Sequence, residues 1–180
     1  MNETAPLWVF GYGSLMWNPE FPYEERVLAT LSGYHRSFCM WSIHHRGTKE
    51  DPGLVLALDP ADDGQCHGLA FSVSSEHQAK TLADLREREL ISSAYLEIWG
   101  DVTLSDGRIV NAVTYIVDKD HAQYTGPLDL EKQAQVISEA VGGRGPNSEY
   151  LYNTASHLCE LGIEDADLNW LTERVQNLAR

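Results

Sequence analysis

Positive charge is scarce in this chain. Thirteen Lys and Arg stand against 27 Asp and Glu in 180 residues, a formal net charge of −14 at pH 7. No Lys/Arg cluster is present, so the basic footprint that nucleic acid requires is missing. An anionic membrane surface is excluded on the same ground. The long-range field opposes an anionic small substrate, so an anion site has to be built locally, from backbone N–H groups and one or two arginines. Cysteine is sparse too. Cys39, Cys66 and Cys159 are an odd number at wide spacing. They form no disulfide framework and point to a reducing, cytosolic compartment. Long apolar runs are absent; stretches such as Leu54–Leu58 are too short to span a bilayer. Met1–Leu7 has neither a basic n-region nor an apolar h-region, so no secretory signal is expected. The seven histidines lack metal spacing, with no C-x-x-C and no H-E-x-x-H, and no metal or other cofactor is expected.

What is there reads as one globular domain over residues 1–180, with 43% hydrophobic and 22% charged residues. Pro6–Leu15 opens as a buried strand broken by Gly11 and Gly13. Arg26–Trp41 reads as two strands bent at Gly33, and His44–Pro52 as a polar loop. Leu54–Leu58 and Cys66–Val73 read as a hairpin about the turn residues Pro60–Gly64. Glu76–Tyr95 takes helical period. Leu96–Leu104 and Ile109–Val117 flank Ser105-Asp106-Gly107, the clearest hairpin signal in the chain. Helices are expected over Leu130–Val141, Ser148–Leu161 (with Asn147 as N-cap and Gly162 as stop) and Asp167–Leu178. Strands first, then helices, predict an α+β fold on a mainly antiparallel, barrel-like sheet.

Three places can carry chemistry. The first is Phe10-Gly11-Tyr12-Gly13-Ser14-Leu15. It is not a dinucleotide fingerprint, because Met16 stands where a third glycine belongs, and it is not a P-loop. Glycines there permit positive φ and close backbone approach. Consecutive N–H groups from Tyr12 to Leu15 can then converge on an anion; the plain alternative is a glycine bend at a barrel corner. The second is Glu89. Taking Ala79 as zero at about 100° per residue, Leu82 falls near 300°, Leu85 near 240° and Glu89 near 280°. Glu89 thus lies on the edge of the buried stripe, whereas Glu87 and Arg88 face the polar side. Burial raises a carboxyl pKa and suits it to proton transfer near neutrality; the alternative is a flank charge paired with Arg86. The third is Asn147-Ser148-Glu149-Tyr150, either a helix start that receives an anion or phenol, or ordinary capping with Tyr150 packed under the barrel. Cys39 reads as a core thiol, Ser14 lacks a nucleophile elbow, and Arg36 and Arg46 are candidate anion partners.

The segment Val9-Phe10-Gly11-Tyr12-Gly13-Ser14-Leu15-Met16-Trp17-Asn18-Pro19 closely resembles the N-terminal signature of the ChaC-type γ-glutamylcyclotransferases. Gly33–Phe38, His45–Thr48 with Pro52–Leu56, Gly68-Leu69-Ala70, Arg88-Glu89 six residues before Tyr95, and Asn147–Leu151 are similar to the same family, in the same order. The resemblance implies a small mixed β-barrel with flanking helices. It implies a catalytic carboxylate at Glu89, a substrate loop of Tyr12, Gly13, Ser14 and Leu15, a substrate-binding tyrosine at Tyr150, and no cofactor. The implied reaction is intramolecular attack of a γ-glutamyl α-amine on its own γ-amide. It would release 5-oxoproline from glutathione, or from other γ-glutamyl amino acids or amines; a non-catalytic binding module on the same fold is the remaining alternative. One departure is Ser93-Ala94, where family members often carry a glycine-rich pair.

Overall fold

A strand with no polar residue has no face to give to water. β1 (Leu7–Gly11) is buried at all five positions. In the computed structural model, which describes residues 6–90 and 94–179, β1 lies between two strands far away in sequence. It pairs antiparallel with β3 (Gly53–Val73), from Leu7↔Val73 to Gly11↔Leu69, and parallel with β5 (Ile109–Val117), at Trp8↔Ala112 and Val9↔Val113. β2 (Glu25–Ser42) and β4 (Tyr95–Leu104) complete a closed barrel of order β1-β3-β2-β4-β5, so the barrel is mixed as expected.

Alternation along β1 serves two cores. Trp8 and Phe10 pack with Leu31, Leu58, Ala70, Val102, Leu104 and Ile116, while Leu7 and Val9 pack with Val73, Leu85, Val113 and Tyr115. A Cβ on Gly68 would strike the Gly11 carbonyl oxygen and stand 2.9 Å from the Phe10 ring, so the β1–β3 approach needs a glycine there. The β4–β5 hairpin forms where Asp106-Gly107 predicts it, with Gly107 at φ +94° and its N–H on the Leu104 carbonyl.

Several expectations change. β2 is one strand, and Gly33 at φ +92° bends it without ending it. β3 runs through Pro60–Gly64 rather than turning there. β1 reaches β3 only at residues 69–73, so the Pro60 segment lies beyond that pairing, where a missing N–H costs no β1 bond. Gly64 instead fits under the Tyr34 carbonyl, 2.9 Å from a built Cβ. The helix α1 spans Gln78–Leu90 after a 3-10 turn at Ser75–His77, and Tyr95 opens β4 opposite Val117 instead of closing the helix.

Two compact units divide the chain, Met1–Ser37 with Leu58–His121, which holds the barrel, and Phe38–Ala57 with Ala122–Arg180. In the second, α2 (Leu130–Glu139), α3 (Asn147–Glu160) and α4 (Ala166–Leu178) pack through Ala134, Ile137, Leu151, Leu158, Leu171 and Val175. Asp129 and Asp165 cap α2 and α4 by accepting from the N–H groups of Lys132 and Leu168. Gly162 at φ +75° stops α3. A two-rung ribbon of β6 (Val141–Gly142) and β7 (Gly145–Pro146) leads into α3. Asn147 is not its N-cap, as the sequence predicts, but its first residue. The buried amide accepts the Leu54 N–H and donates to the Leu54 carbonyl, both at 2.8 Å, and so completes the edge of β3. Asn147→Ala strands both buried backbone groups, at about 1–3 kcal/mol each. The expected outcome is a melting temperature lower by on the order of 10 °C; a melt within 2 °C or so of wild type would show that Leu54 finds other partners.

Candidate functional site

The chain leaves β1 at Gly11 and tightens at once into a 3-10 turn, Ser14–Met16. The turn uses the N–H groups of Met16, Trp17 and Asn18, which donate to the carbonyls of Gly13 and Ser14, and leaves those of Gly13, Ser14 and Leu15 outside its own bonding. Gly13 adopts φ −138° and ψ −128°, so the expected positive φ is not what this loop uses. A Cβ built on Gly13 meets no heavy atom within 4 Å. Leu15 is buried, Tyr12 half-buried and Ser14 exposed. The loop is fastened from below by Arg36, whose Nε donates to the Tyr12 carbonyl at 2.8 Å and whose Nη2 donates to the His67 carbonyl. Arg36, read from the sequence as a candidate anion partner, is buried and donates to backbone carbonyls.

Glu89 lies in the last turn of α1, whose Leu85 is buried and whose Leu82 and Leu90 are partly buried in the same core as Val9 and Tyr115. Burial pushes the Glu89 carboxyl above its ordinary range, and the positive charge of Arg88 pulls it partly back. The cation was expected to be Arg86. Instead Arg86 forks onto Glu97 of β4, Nε to Oε1 at 2.9 Å and Nη2 to Oε2 at 3.0 Å. That pairing holds Glu97 below the usual carboxylate range, and the buried Tyr115 hydroxyl donates to the same Oε1 at 3.0 Å. Burial, then Glu97, raise the Tyr115 phenol, and the Glu89 charge adds to the effect. Two carboxyls on neighbouring elements are thus driven in opposite directions, one toward holding a proton and one toward permanent charge. Glu87 is exposed, as its helical position predicts.

Arg88 joins the two candidates. Its Nη2 donates to Ser14 Oγ at 2.9 Å and its Nη1 to the Asn18 carbonyl at 3.1 Å. Sequence reasoning placed Arg88 on the polar face and missed this link; the adjacency of Arg88 to Glu89 was its one visible signal. Glu97 and Tyr115 were missed for want of any local pattern. Tyr150 belongs to the second unit. Its hydroxyl accepts the Leu56 N–H at 3.2 Å, and its ring lies edge-on to Phe38. The Arg46 guanidinium sits 5.7 Å from the Tyr150 ring centre and donates to Glu149 and to the Pro146 carbonyl. Ser93 lies outside the described residues, and Ala94 is buried. Among the described residues no three His, Cys, Asp or Glu side chains are grouped to hold a metal ion, and no helix is long and apolar enough to cross a membrane.

The ChaC-like protein family matches residues 7–178. A glutathione-specific γ-glutamylcyclotransferase of Escherichia coli is 39% identical over 98% of this chain and 75% of its own length. Gamma-glutamylcyclotransferase 2-3 of Arabidopsis thaliana is 33% identical over 96% of this chain and 89% of its own. The crystal structure of a yeast γ-glutamyl cyclotransferase specific to glutathione superposes with a TM-score of 0.86 at 26% identity, covering 98% of each chain.

The Arg86–Glu97 pair makes a pH-dependent contribution of definite sign. A carboxyl whose folded pKa is depressed stabilises fully above its unfolded pKa of about 4.3 and loses that contribution as pH falls through the folded value. Arg86 is half exposed, so the contribution is screened and small. The stability deficit of Arg86→Met, read from urea melts at pH 7, 5 and 3.5, is expected to be constant at the first two and to shrink at the third. A deficit independent of pH would assign Arg86 to packing alone.

Proposed function

The chain belongs to the ChaC-like family, and from that premise we propose that it is a γ-glutamylcyclotransferase that cleaves glutathione to 5-oxoproline and Cys-Gly. The observation that carries the reading is Glu89: a carboxyl half-buried on α1, raised by burial, on a helix bonded through Arg88 to the glycine loop.

The chemistry asks little of the protein beyond placement. The γ-glutamyl α-amine and the γ-amide carbonyl belong to one molecule. Attack forms the C–N bond of a five-membered lactam, and the amide C–N bond then breaks to release the Cys-Gly amine. Holding nucleophile and electrophile in a near-attack geometry is worth up to about 7–11 kcal/mol. The amine arrives as an ammonium and gives up two protons in becoming the lactam N–H, one before attack and one after the new C–N bond forms; Glu89 takes them in turn and passes them to the departing nitrogen, which leaves as the Cys-Gly ammonium. The N–H groups of Gly13, Ser14 and Leu15, held at the end of β1, receive the substrate's α-carboxylate or the developing oxyanion. They are neutral donors, which suits an anion brought into a chain of net charge −14. The odd, widely spaced cysteines, two of them buried, support a reducing cytosolic setting, where glutathione is a thiol.

Release of 5-oxoproline from glutathione, measured beside γ-glutamyl-alanine, tests the reading: glutathione is expected to turn over faster. Preference for γ-glutamyl-alanine would move the substrate to other γ-glutamyl compounds, and release from neither would leave a binding module. Glu89→Gln is expected to lose at least about a hundredfold in turnover, the scale of a general base, and Glu87→Gln to be silent. Glu89→Gln also carries a stability signature. Above its raised pKa, the wild-type carboxylate is charged where water is scarce, so the variant is expected to melt higher than wild type at pH 8. That advantage disappears below about pH 4.3, where both folded and unfolded Glu89 are neutral. A variant that melts lower at pH 8 would mean that Glu89 is held by partners, not strained by burial.

A further inference from the structure

The glycine loop is held at two points by two arginines. Arg36 grips its start, at the Tyr12 carbonyl. Arg88 grips its middle and end, at Ser14 Oγ and the Asn18 carbonyl, with the Glu20 carboxylate 3.7 Å from the same guanidinium. Glu20 also accepts from Asn18 Nδ2 at 3.0 Å, and among the described residues it alone, apart from glycines, has positive φ, at +62°. A left-handed glutamate is strained and persists only where its surroundings over-determine it. The knot of Arg88, Asn18 and Glu20 supplies that determination. An exposed loop that merely bent the chain would not need a half-buried guanidinium and a strained backbone to hold its far end.

We propose that Arg88 is a positioning residue for the cyclotransferase reaction, coupling the loop that receives the substrate's anionic end to the helix turn that carries the base, and that the Ser14 hydroxyl serves this tether rather than the substrate. The inference rests on the activity proposed above. One side chain thereby sets two things at once: where the loop N–H groups stand relative to Glu89, and how much positive charge Glu89 feels. Among the described residues, the charge of Arg88 acts on the Glu89 carboxyl, and Glu89 in turn acts on the Tyr115 phenol of β5. Tyr115 is bonded to Glu97 of β4, which in turn takes up Arg86. Glu20 approaches from the loop side through Arg88. Arg88 is therefore the cation whose removal Glu89 registers.

Three variants separate the two roles. Arg88→Lys keeps the charge but lacks the planar fork that reaches two acceptors. Ser14→Ala removes one arm of the tether and keeps the charge; the side chain is exposed, so folding is not at risk. Arg88→Met removes both. At pH 8, kcat/KM is expected to fall about tenfold in Arg88→Lys and about threefold in Ser14→Ala, the loss of charge-assisted hydrogen bonds that hold the loop. The acidic limb of the kcat/KM profile stays in place in those two variants and moves to higher pH in Arg88→Met. Wild-type kcat/KM in both Arg88→Lys and Ser14→Ala overturns the tether, and an unmoved limb in Arg88→Met overturns the electrostatic half. Amide hydrogen exchange at Met16, Trp17 and Asn18 reads the tether without catalysis: it is expected to quicken in Arg88→Lys and Ser14→Ala. If wild type releases no 5-oxoproline, the activity reading fails by itself, and unchanged exchange in both variants is then the result that removes the tether.

Discussion

The parallel seam between β1 and β5 is the constraint on which the barrel depends. It is short, with Trp8 opposite Ala112 and Val9 opposite Val113, yet it turns an open sheet into a closed one and so removes both free edges. Closure explains why β1 carries no polar residue: with β3 on one side, β5 on the other and a core on each face, it has nothing to show to solvent. It also places the candidate site. Gly11 is the last residue of β1 that pairs with β3, and its carbonyl lies against Gly68, so the chain departs from a fixed point and a fixed direction into the Ser14–Met16 turn. A loop intended to align backbone N–H groups gains most from being anchored at the end of the most buried strand.

Scarcity of positive charge is handled by assignment. Arg36 is given to two backbone carbonyls, Arg86 to Glu97, Arg88 to Ser14 and Asn18, and in the second unit Arg46 to Glu149 and Pro146. None of these guanidiniums acts simply as a surface charge; each orders a segment that would otherwise be held by weak forces. In the proposed reaction, recognition of an anionic substrate falls to neutral N–H groups, which need no counter-charge and do not pull Glu89 toward ionisation. A lysine or arginine placed beside Glu89 for substrate binding would lower the carboxyl pKa that burial has raised.

Local chemistry was legible in the sequence, and long-range geometry was not. Asp106-Gly107 marked its hairpin, Gly162 its helix end, and the Leu82–Leu85–Glu89 spacing put one carboxyl on the rim of a core, because each signal is decided within a few residues. Pro60–Gly64 misled, because turn-forming residues can sit inside a strand where a neighbour does not call on the missing N–H, and on the β1 side that depends on how far β1 extends along β3. Asn147 misled for a related reason. Its amide can cap a helix or complete a strand edge with equal ease, and Leu54, 93 positions away, decides which. Arg86 and Arg88 both flank Glu89 in the sequence; only the arrival of Glu97 on β4 takes the first away and leaves the second. The resemblance to a known family pointed to Glu89, Tyr12–Leu15 and Tyr150, but it said nothing of Arg86, Glu97 and Tyr115 beside Glu89.

The same seam orders events in time as well as in space. Roughly a hundred residues separate Trp8 from its β5 partner Ala112, and at about 5–20 residues per second a ribosome takes on the order of 5–20 s to cover that interval. Through that interval a strand destined to be buried at every position has been made and has no second neighbour to pair with. The glycine loop that follows it has no fixed origin either, so a nascent chain has no ordered site until β5 has emerged. Contacts of such high sequence separation also slow folding once synthesis is complete, because the loop they close must be ordered before they reward it. An N-terminal strand that waits for a late partner is therefore the segment a chaperone would be expected to hold, and the step at which a newly made chain becomes an enzyme is the docking of its first strand onto the last strand of the barrel.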